Sequence, residues 1–303
     1  MKTRLLFLLT LLLACIVTEG REFQTLDNFN VTWDTQSRNS SESMPCGGGE
    51  TGLNVWTENN DILFYLSRSS CFDENNALLK LGRIRLHLSE AHFDKSFRQV
   101  LTLRDGTVRI YGSNNTVVTL WVDVFHPVVH VDIKAGKAQK ATLTYENWRY
   151  QDYALNGEDA HLCGMKGTKE NIYIRPDSVS FDNNQILFYH RNRNDFIFDR
   201  TVECEELQDI KDKLWNPVKN RTFGGIIEGT GLVVGNTGSG RYVDTDYRSW
   251  SLISATPQKQ INITITTHVA QTPTLLEWRK KLDDIQKRQL ASTNADRKAS
   301  LRW

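Results

Sequence analysis

After its first twenty residues this 303-residue chain has no apolar run that approaches the roughly 20 residues needed to span a bilayer, so its body offers no transmembrane helix. It also lacks an excess of either charge, with 37 basic residues against 36 acidic ones. With no basic stripe and no polybasic arm, it has no electrostatic footprint for nucleic acid or for an anionic membrane surface. Metal and hydrolase signatures are missing too. No two cysteines stand at C-x-x-C spacing, and neither H-E-x-x-H nor H-x-H occurs, so no metal site is expected. A serine nucleophile would need a G-x-S-x-G elbow between strand and helix. The nearest stretch, Thr237-Gly-Ser-Gly240, lies among strands and lacks that form. No internal repeat stands out.

The first twenty residues, MKTRLLFLLTLLLACIVTEG, do carry a signal. Lys2 and Arg4 precede an apolar core from Leu5 to Val17, and Thr18 and Gly20 are small residues at the −3 and −1 positions of a cleavage site. This is the layout of a secretory signal peptide, so the mature chain is expected to be secreted and to start near Arg21. Lys2, Arg4 and Glu19 fall in that segment, which leaves 35 residues of each sign in the remainder.

Removing it also removes Cys15 and leaves Cys46, Cys71, Cys163 and Cys204. An even count in an oxidising compartment predicts two disulfides with three possible connectivities, of which the sequence neighbours Cys46–Cys71 and Cys163–Cys204 are favoured. Five N-x-S/T sequons, at Asn30, Asn39, Asn114, Asn220 and Asn262, predict glycosylation.

The dominant periodicity is two. Ile84, Leu86 and Leu88 alternate with Arg83, Arg85 and His87, Ala141, Leu143 and Tyr145 with Thr142, Thr144 and Glu146, and Ile261, Ile263 and Ile265 with Asn262, Thr264 and Thr266. Such alternation marks antiparallel strands with one buried face. Hairpins are expected at Glu58-Asn-Asn-Asp61, Asp105-Gly106 and Asp182-Asn-Asn184, and Pro127 should divide Val117–Ile133 into two strands. Asn156–Lys169 and Glu203–Lys219 read as long loops stapled by cysteines. More than ten strand candidates predict an all-β fold, a large two-sheet antiparallel sandwich over residues 21–271. Residues 272–303 differ. From Leu275 to about Arg297 the chain is helix-prone, with Leu275, Trp278, Leu282 and Ile285 forming one apolar stripe. That helix needs a docking surface, which is expected to lie outside this chain.

Gly47, Gly49 and Gly52 in SMPCGGGETGLNVW match G-x-G-x-x-G. A dinucleotide site requires a strand before that motif and a helix after it. Here polar turn residues precede and strands follow, so no cofactor is expected and the glycines read as a tight turn into a hairpin. Gly235–Gly240 reads likewise as a turn between strands. Carboxylates such as Glu42, Glu50, Asp73, Glu74, Glu228, Asp244 and Asp246 cannot be paired from sequence spacing. His87 and His130 fall on polar strand faces. Among Trp56, Tyr65, Trp121, Trp148, Trp215 and Trp250, Trp56 flanks the glycine loop. With Glu50 and Asn54 it forms the candidate carbohydrate-binding set.

The order Trp33, SESMPCGGGETGLNVW, DILFYLSRSSCFDENNALLKLGRIRLHL, then FRQVLTLRDGTVRIYG and LWVDVFHPVVHVDI, resembles the opening of a secreted family called domain of unknown function 5703, thought to be glycoside-hydrolase-like. It is more distantly similar to glycoside hydrolase family 95, whose sandwich opens with E-A-L-P-x-G-N-G-R-L-G-A. Gly48 stands where that motif has asparagine, and Cys46 where it has an aliphatic residue. The resemblance implies a supersandwich, a linker helix, and then an (α/α)6 barrel bearing the catalytic acid and base. The expectation is therefore a carbohydrate-facing sandwich with no catalytic residues of its own, cut before its barrel partner. The alternative is a free-standing lectin-like module.

Overall fold

A computed structural model describes residues 26–155, 172–193 and 195–290. The expected signal segment, Cys163, the stretch Asn156–Lys169 and residues 291–303 lie outside them. The described residues form eighteen strands. The first ten are β1 (Val31–Trp33), β2 (Met44–Gly48), β3 (Thr51–Glu58), β4 (Asp61–Arg68), β5 (Gly82–Leu88), β6 (Arg98–Thr102), β7 (Thr107–Gly112), β8 (Thr116–Val122), β9 (Val128–Gln139) and β10 (Ala141–Asn147). The rest are β11 (Tyr153–Leu155), β12 (Ile172–Ile174), β13 (Ser178–Asp182), β14 (Gln185–Arg191), β15 (Arg221–Gly229), β16 (Leu232–Tyr242), β17 (Thr245–Ser254) and β18 (Gln258–Gln271). Two helices, α1 (Phe196–Cys204) and α2 (Leu275–Leu290), accompany them.

Sixteen strands make two antiparallel sheets, a nine-stranded one ordered β1-β6-β7-β8-β9-β18-β15-β14-β13 and a seven-stranded one ordered β16-β17-β10-β5-β4-β3-β2, and β11 and β12 pair as a separate two-stranded ribbon. The expected alternation holds. Ile84, Leu86, Leu143, Tyr145, Ile261, Ile263 and Ile265 are all fully buried in one continuous core between the sheets. The hairpin turns follow their residues: Asn59 and Asn60 both adopt positive φ (49° and 70°) between β3 and β4, the geometry that matches the strand twist.

Three expectations need correction. Cys46 and Cys71 are free, buried thiols. Cys46 on β2 lies opposite Leu53, which lies opposite Leu66 on β4. Cys71 lies past the end of β4 among Arg68, Arg149, Arg221 and Asp177, none of which neighbours Cys46. Cys46 Sγ sits instead 3.4 Å from the Gly106 carbonyl oxygen. Cys204 is a free, exposed thiol at the end of α1.

Gly235–Gly240 is not a turn but the middle of β16, which carries a bulge between Val234 and Thr237. A Cβ at Gly235 would stand 2.6 Å from Ser251 Oγ and one at Gly240 2.5 Å from the Tyr247 hydroxyl. The glycines admit neighbouring side chains, and the chain reverses at Tyr242–Thr245 instead. The Glu203–Lys219 stretch starts on the last residues of the helix α1 and holds a 3-10 turn at Gln208–Lys213. Finally, the docking surface for α2 is within this chain. Trp278 and Leu282 are fully buried against Ile226, Leu187, Tyr189 and Ala270 on the outer face of the nine-stranded sheet.

Candidate binding cleft

The three residues expected to meet a ligand are not brought together. Glu50 tops the β2–β3 turn, where Arg68 Nη2 donates to its Oε2 at 3.0 Å. Asn54 is exposed on β3 and donates to Ser43 Oγ at 3.2 Å. Trp56 shares its strand face, but is wholly buried. Its Nε1 donates to Glu58 Oε2 at 2.9 Å, and its ring packs against Tyr65 and Tyr242 with centroids 5.1 and 6.1 Å away. Trp56 is therefore a packing residue, because the β16–β17 hairpin folds over it: the Tyr242 hydroxyl donates to Glu58 Oε2 at 2.8 Å and accepts from the Ser40 N–H at 3.0 Å.

That hairpin also walls a cleft of about 1030 Å³ elsewhere on the molecule. Its second wall is the loop from Phe72 to Lys80, and its third the bend after β10, with Trp148, Arg149, Tyr150 and Tyr153. The loop is rigid for local reasons. Asp73 Oδ1 accepts the backbone N–H groups of Asn75 and Ala77 at 2.9 and 2.8 Å, an Asx arrangement that turns the chain. The turn leaves Leu78 exposed toward the opening. Tyr153 is 55 % exposed. Trp148 stands edge-on to Tyr65, 6.0 Å between centroids, and Asp244 and Asp246 face it from the hairpin tip.

Beneath the cleft lies a buried polar chain inside one end of the sandwich. The Arg149 guanidinium pairs with Asp177 through Nε (3.1 Å to Oδ1) and Nη2 (2.6 Å to Oδ2). His190 lies 2.9 Å from Asp177 Oδ1 by its Nδ1 and 3.0 Å from Glu74 Oε2 by its Nε2. Burial alone would lower the His190 pKa, but hydrogen bonds to the two carboxylates outweigh it and raise it to about 9. The ring is then an imidazolium, with both nitrogens donating. Burial raises Asp177, but the charges and hydrogen bonds of Arg149 and His190 together outweigh this and hold its carboxyl below the usual range. Burial raises the pKa of Asp73. Asn147 Nδ2 adds a donor to Asp177 at 2.7 Å. The cleft floor is thus a charge-balanced frame that fixes Arg149 rather than a proton-transfer device.

A second ionic ladder crosses the outer face of the seven-stranded sheet. Glu146 accepts from Arg83 Nε at 2.5 Å and from Arg85 Nε at 2.7 Å, and Arg85 Nη1 reaches Asp61 at 2.9 Å. The Arg83 guanidinium carbon lies 3.9 Å from the Tyr242 ring centroid, a cation–π contact that helps hold the hairpin tip in place.

The wall aromatics lie in the short run Trp148-Arg-Tyr-Gln-Asp-Tyr153, just beyond the alternating strand β10. Aromatic density at a strand exit was the signal available for this cleft, whereas proximity to a glycine loop pointed to Trp56. Among the described residues no group of three or more His, Cys, Asp or Glu side chains is arranged to hold a metal ion, and no helix is long and apolar enough to cross a membrane.

Residues 32–303 match the model of a protein family described as domain of unknown function (DUF5703). No curated protein matches the chain.

Proposed function

The chain belongs to the family described as domain of unknown function (DUF5703), and from that footing we propose that its sandwich is the carbohydrate-recognition part of a secreted, glycoside-hydrolase-like protein. The ligand is a neutral oligosaccharide segment held in the Trp148–Tyr153 cleft, and hydrolysis belongs to a separate catalytic barrel. One observation carries the reading: a partly exposed indole and a 55 % exposed phenol share one cleft with the exposed carboxylates Asp244 and Asp246. Sugar C–H faces stack on aromatic rings, whose negative faces attract their partial positive charge. Asp244 and Asp246 can each accept from sugar hydroxyls. Arg149 is already neutralised by Asp177, which disfavours a strongly anionic ligand.

The same carboxylates disfavour a hydrolytic step. A glycosidase acid must keep its proton near neutral pH, and burial is the usual means. Asp244 and Asp246 are exposed on a hairpin tip.

The test is a glycan array followed by calorimetry on the purified chain. A bound neutral oligosaccharide should lose about tenfold in affinity on Tyr153→Ala and again on Trp148→Ala, one ring contact of ~1.4 kcal/mol each. An empty array, or binding indifferent to both changes, rejects the reading.

A further inference from the structure

Trp215 is the most exposed aromatic side chain among the large hydrophobics of the described residues, at 72 %, and it is not on a loose loop. Asn216 Oδ1 accepts the N–H groups of Val218 and Lys219 at 3.0 and 3.1 Å. Gln271 Nε2 on β18 donates to the Asn216 and Lys219 carbonyl oxygens at 2.8 and 2.9 Å. Val218 is buried and Pro217 fixes its own φ. The fold therefore spends a buried anchor and four hydrogen bonds on a turn that displays a bare indole to water. A rigidly presented apolar ring of this kind marks a contact site.

The ring borders a second cleft, about 650 Å³, whose wall includes Asp199, Lys211, Lys219, Gln271 and Asn220. Asn220 begins the sequon Asn220-Arg-Thr222. It is exposed, and its Oδ1 accepts a long 3.4 Å contact from Arg191, which leaves Nδ2, the atom a glycan would occupy, unbonded. Its φ of +54° suits asparagine at a turn. None of the other sequon asparagines lines this cleft. Asn114 Nδ2 is engaged by the Glu90 carbonyl oxygen at 2.7 Å, Asn39 caps a 3-10 turn through its Oδ1, and Asn30 Oδ1 accepts from the Leu103 N–H. Asn262 stands half-buried on β18 and does not line this cleft.

We propose that Asn220 carries an N-linked glycan whose first sugar lies in this cleft against the Trp215 ring. The glycan is thereby an internal structural element, and Trp215 is its platform. Attachment forms a bond from Asn220 Nδ2 to the anomeric carbon of a sugar carried on a lipid pyrophosphate. The lipid pyrophosphate leaves with the electron pair, and the amide gives up one proton. The Thr222 hydroxyl, which a sequon must present, is fully buried in the folded chain and accepts from Arg191 Nη1 at 2.7 Å. Transfer therefore precedes the folding of β15. Once attached, the sugar presents C–H bonds to the indole face, while Lys219 and Asp199 at the cleft wall offer partners for its hydroxyls.

The proposal rests on the export contained in the functional reading, and the experiment separates the two. The full chain is expressed in a eukaryotic secretory host, and glycopeptide mass spectrometry reads each sequon. Oxidation of Trp215 by N-bromosuccinimide is followed by peptide mapping for the wild type, for Asn220→Asp, and for protein trimmed to its first sugars by an endoglycosidase. Asn220→Asp keeps the tolerance for positive φ and removes the acceptor. Expected are an occupied Asn220, Trp215 oxidation at least threefold slower in wild-type and trimmed protein than in the variant, and unchanged oxidation of the other tryptophans. Other sequons occupied with Asn220 bare, or equal Trp215 oxidation with and without the glycan, overturns the proposal alone. No sequon occupied in secreted or retained protein overturns it together with the export reading, and leaves cleft binding to its own test.

Discussion

Arg149 meets Asp177 at two points inside one end of the sandwich, Nη2 to Oδ2 at 2.6 Å and Nε to Oδ1 at 3.1 Å, with both side chains almost wholly buried. Asp177 is also the acceptor for His190 and Asn147. Removing it leaves two buried cations facing one another with their shared anion gone. Asp177→Ala should cost about 3–5 kcal/mol of stability, read as a lower urea midpoint. It should also weaken cleft binding, since Arg149 and Trp148 are adjacent in the cleft wall.

The pH dependence follows from two histidines that pull in opposite directions. His190 is raised to about 9, so its contribution is complete below the free imidazole value of about 6.5 and is lost as pH rises toward 9. His268 is lowered to about 4 by burial and by the charges of Arg68 and Lys281. Its contribution is complete above about 6.5 and is lost as pH falls toward 4. Asp177, held low, adds a further loss only below about pH 4. Stability measured by denaturant titration should therefore peak near pH 6.5. His190→Gln should flatten the alkaline limb and His268→Asn the acid limb. A single monotonic slope between pH 5 and 9 would contradict this assignment.

The helix α2 depends on one side chain. Trp278 is fully buried between the helix and the sheet, near Tyr189 and His268 at centroid distances of 5.6 and 6.0 Å. Trp278→Ala should cost about 3–5 kcal/mol and release the amides of Leu275–Leu290 to rapid hydrogen exchange. Leu276, 78 % exposed on the same helix, should tolerate alanine within about 0.5 kcal/mol.

Thiol titration separates free cysteines from a disulfide. Burial pushes the Cys46 and Cys71 thiols up to about 12, so neither should react with Ellman's reagent in the native Cys163→Ser variant, while the exposed Cys204 reacts promptly. Two further equivalents should appear in denaturant without reductant. If they appear only after reduction, Cys46 and Cys71 are bonded.

Gly48 has no room for a side chain. A Cβ there would stand 2.9 Å from the Val122 carbonyl oxygen and 3.1 Å from Val124 Cγ1. Gly48→Asn should cost about 1–3 kcal/mol through forced displacement of the Val122–Val124 backbone, measured by thermal or chemical unfolding. Gly52, where nothing lies within 4 Å of an added Cβ, is the control.

Strand periodicity, the asparagine turns at Asn59-Asn60 and Asn183, the break before Val128 and the helical stripe of α2 were all legible in the residues. Each rests on contacts or backbone preferences within a few positions along the chain, and an apolar face buried every second residue implies an antiparallel sandwich whatever its partner strands are. The cleft was legible only as an aromatic run. Whether a tryptophan is wall, core or platform depends on what folds over it. Tyr242 is 184 positions beyond Glu58, the carboxylate that it shares with Trp56, and its arrival makes Trp56 core. Trp215 is held bare by a glutamine from β18. The Cys46–Cys71 pairing failed likewise, since the chain carries Cys46 to the Gly106 and Leu120 carbonyls and Cys71 to a separate cluster of Arg68, Arg149 and Arg221. Local alternation decided which residues face inward. Only the order of strands and the path of the β16–β17 hairpin decided which outward-facing residues remain open to a ligand, because burial of a side chain by a distant segment leaves no trace in its own neighbourhood.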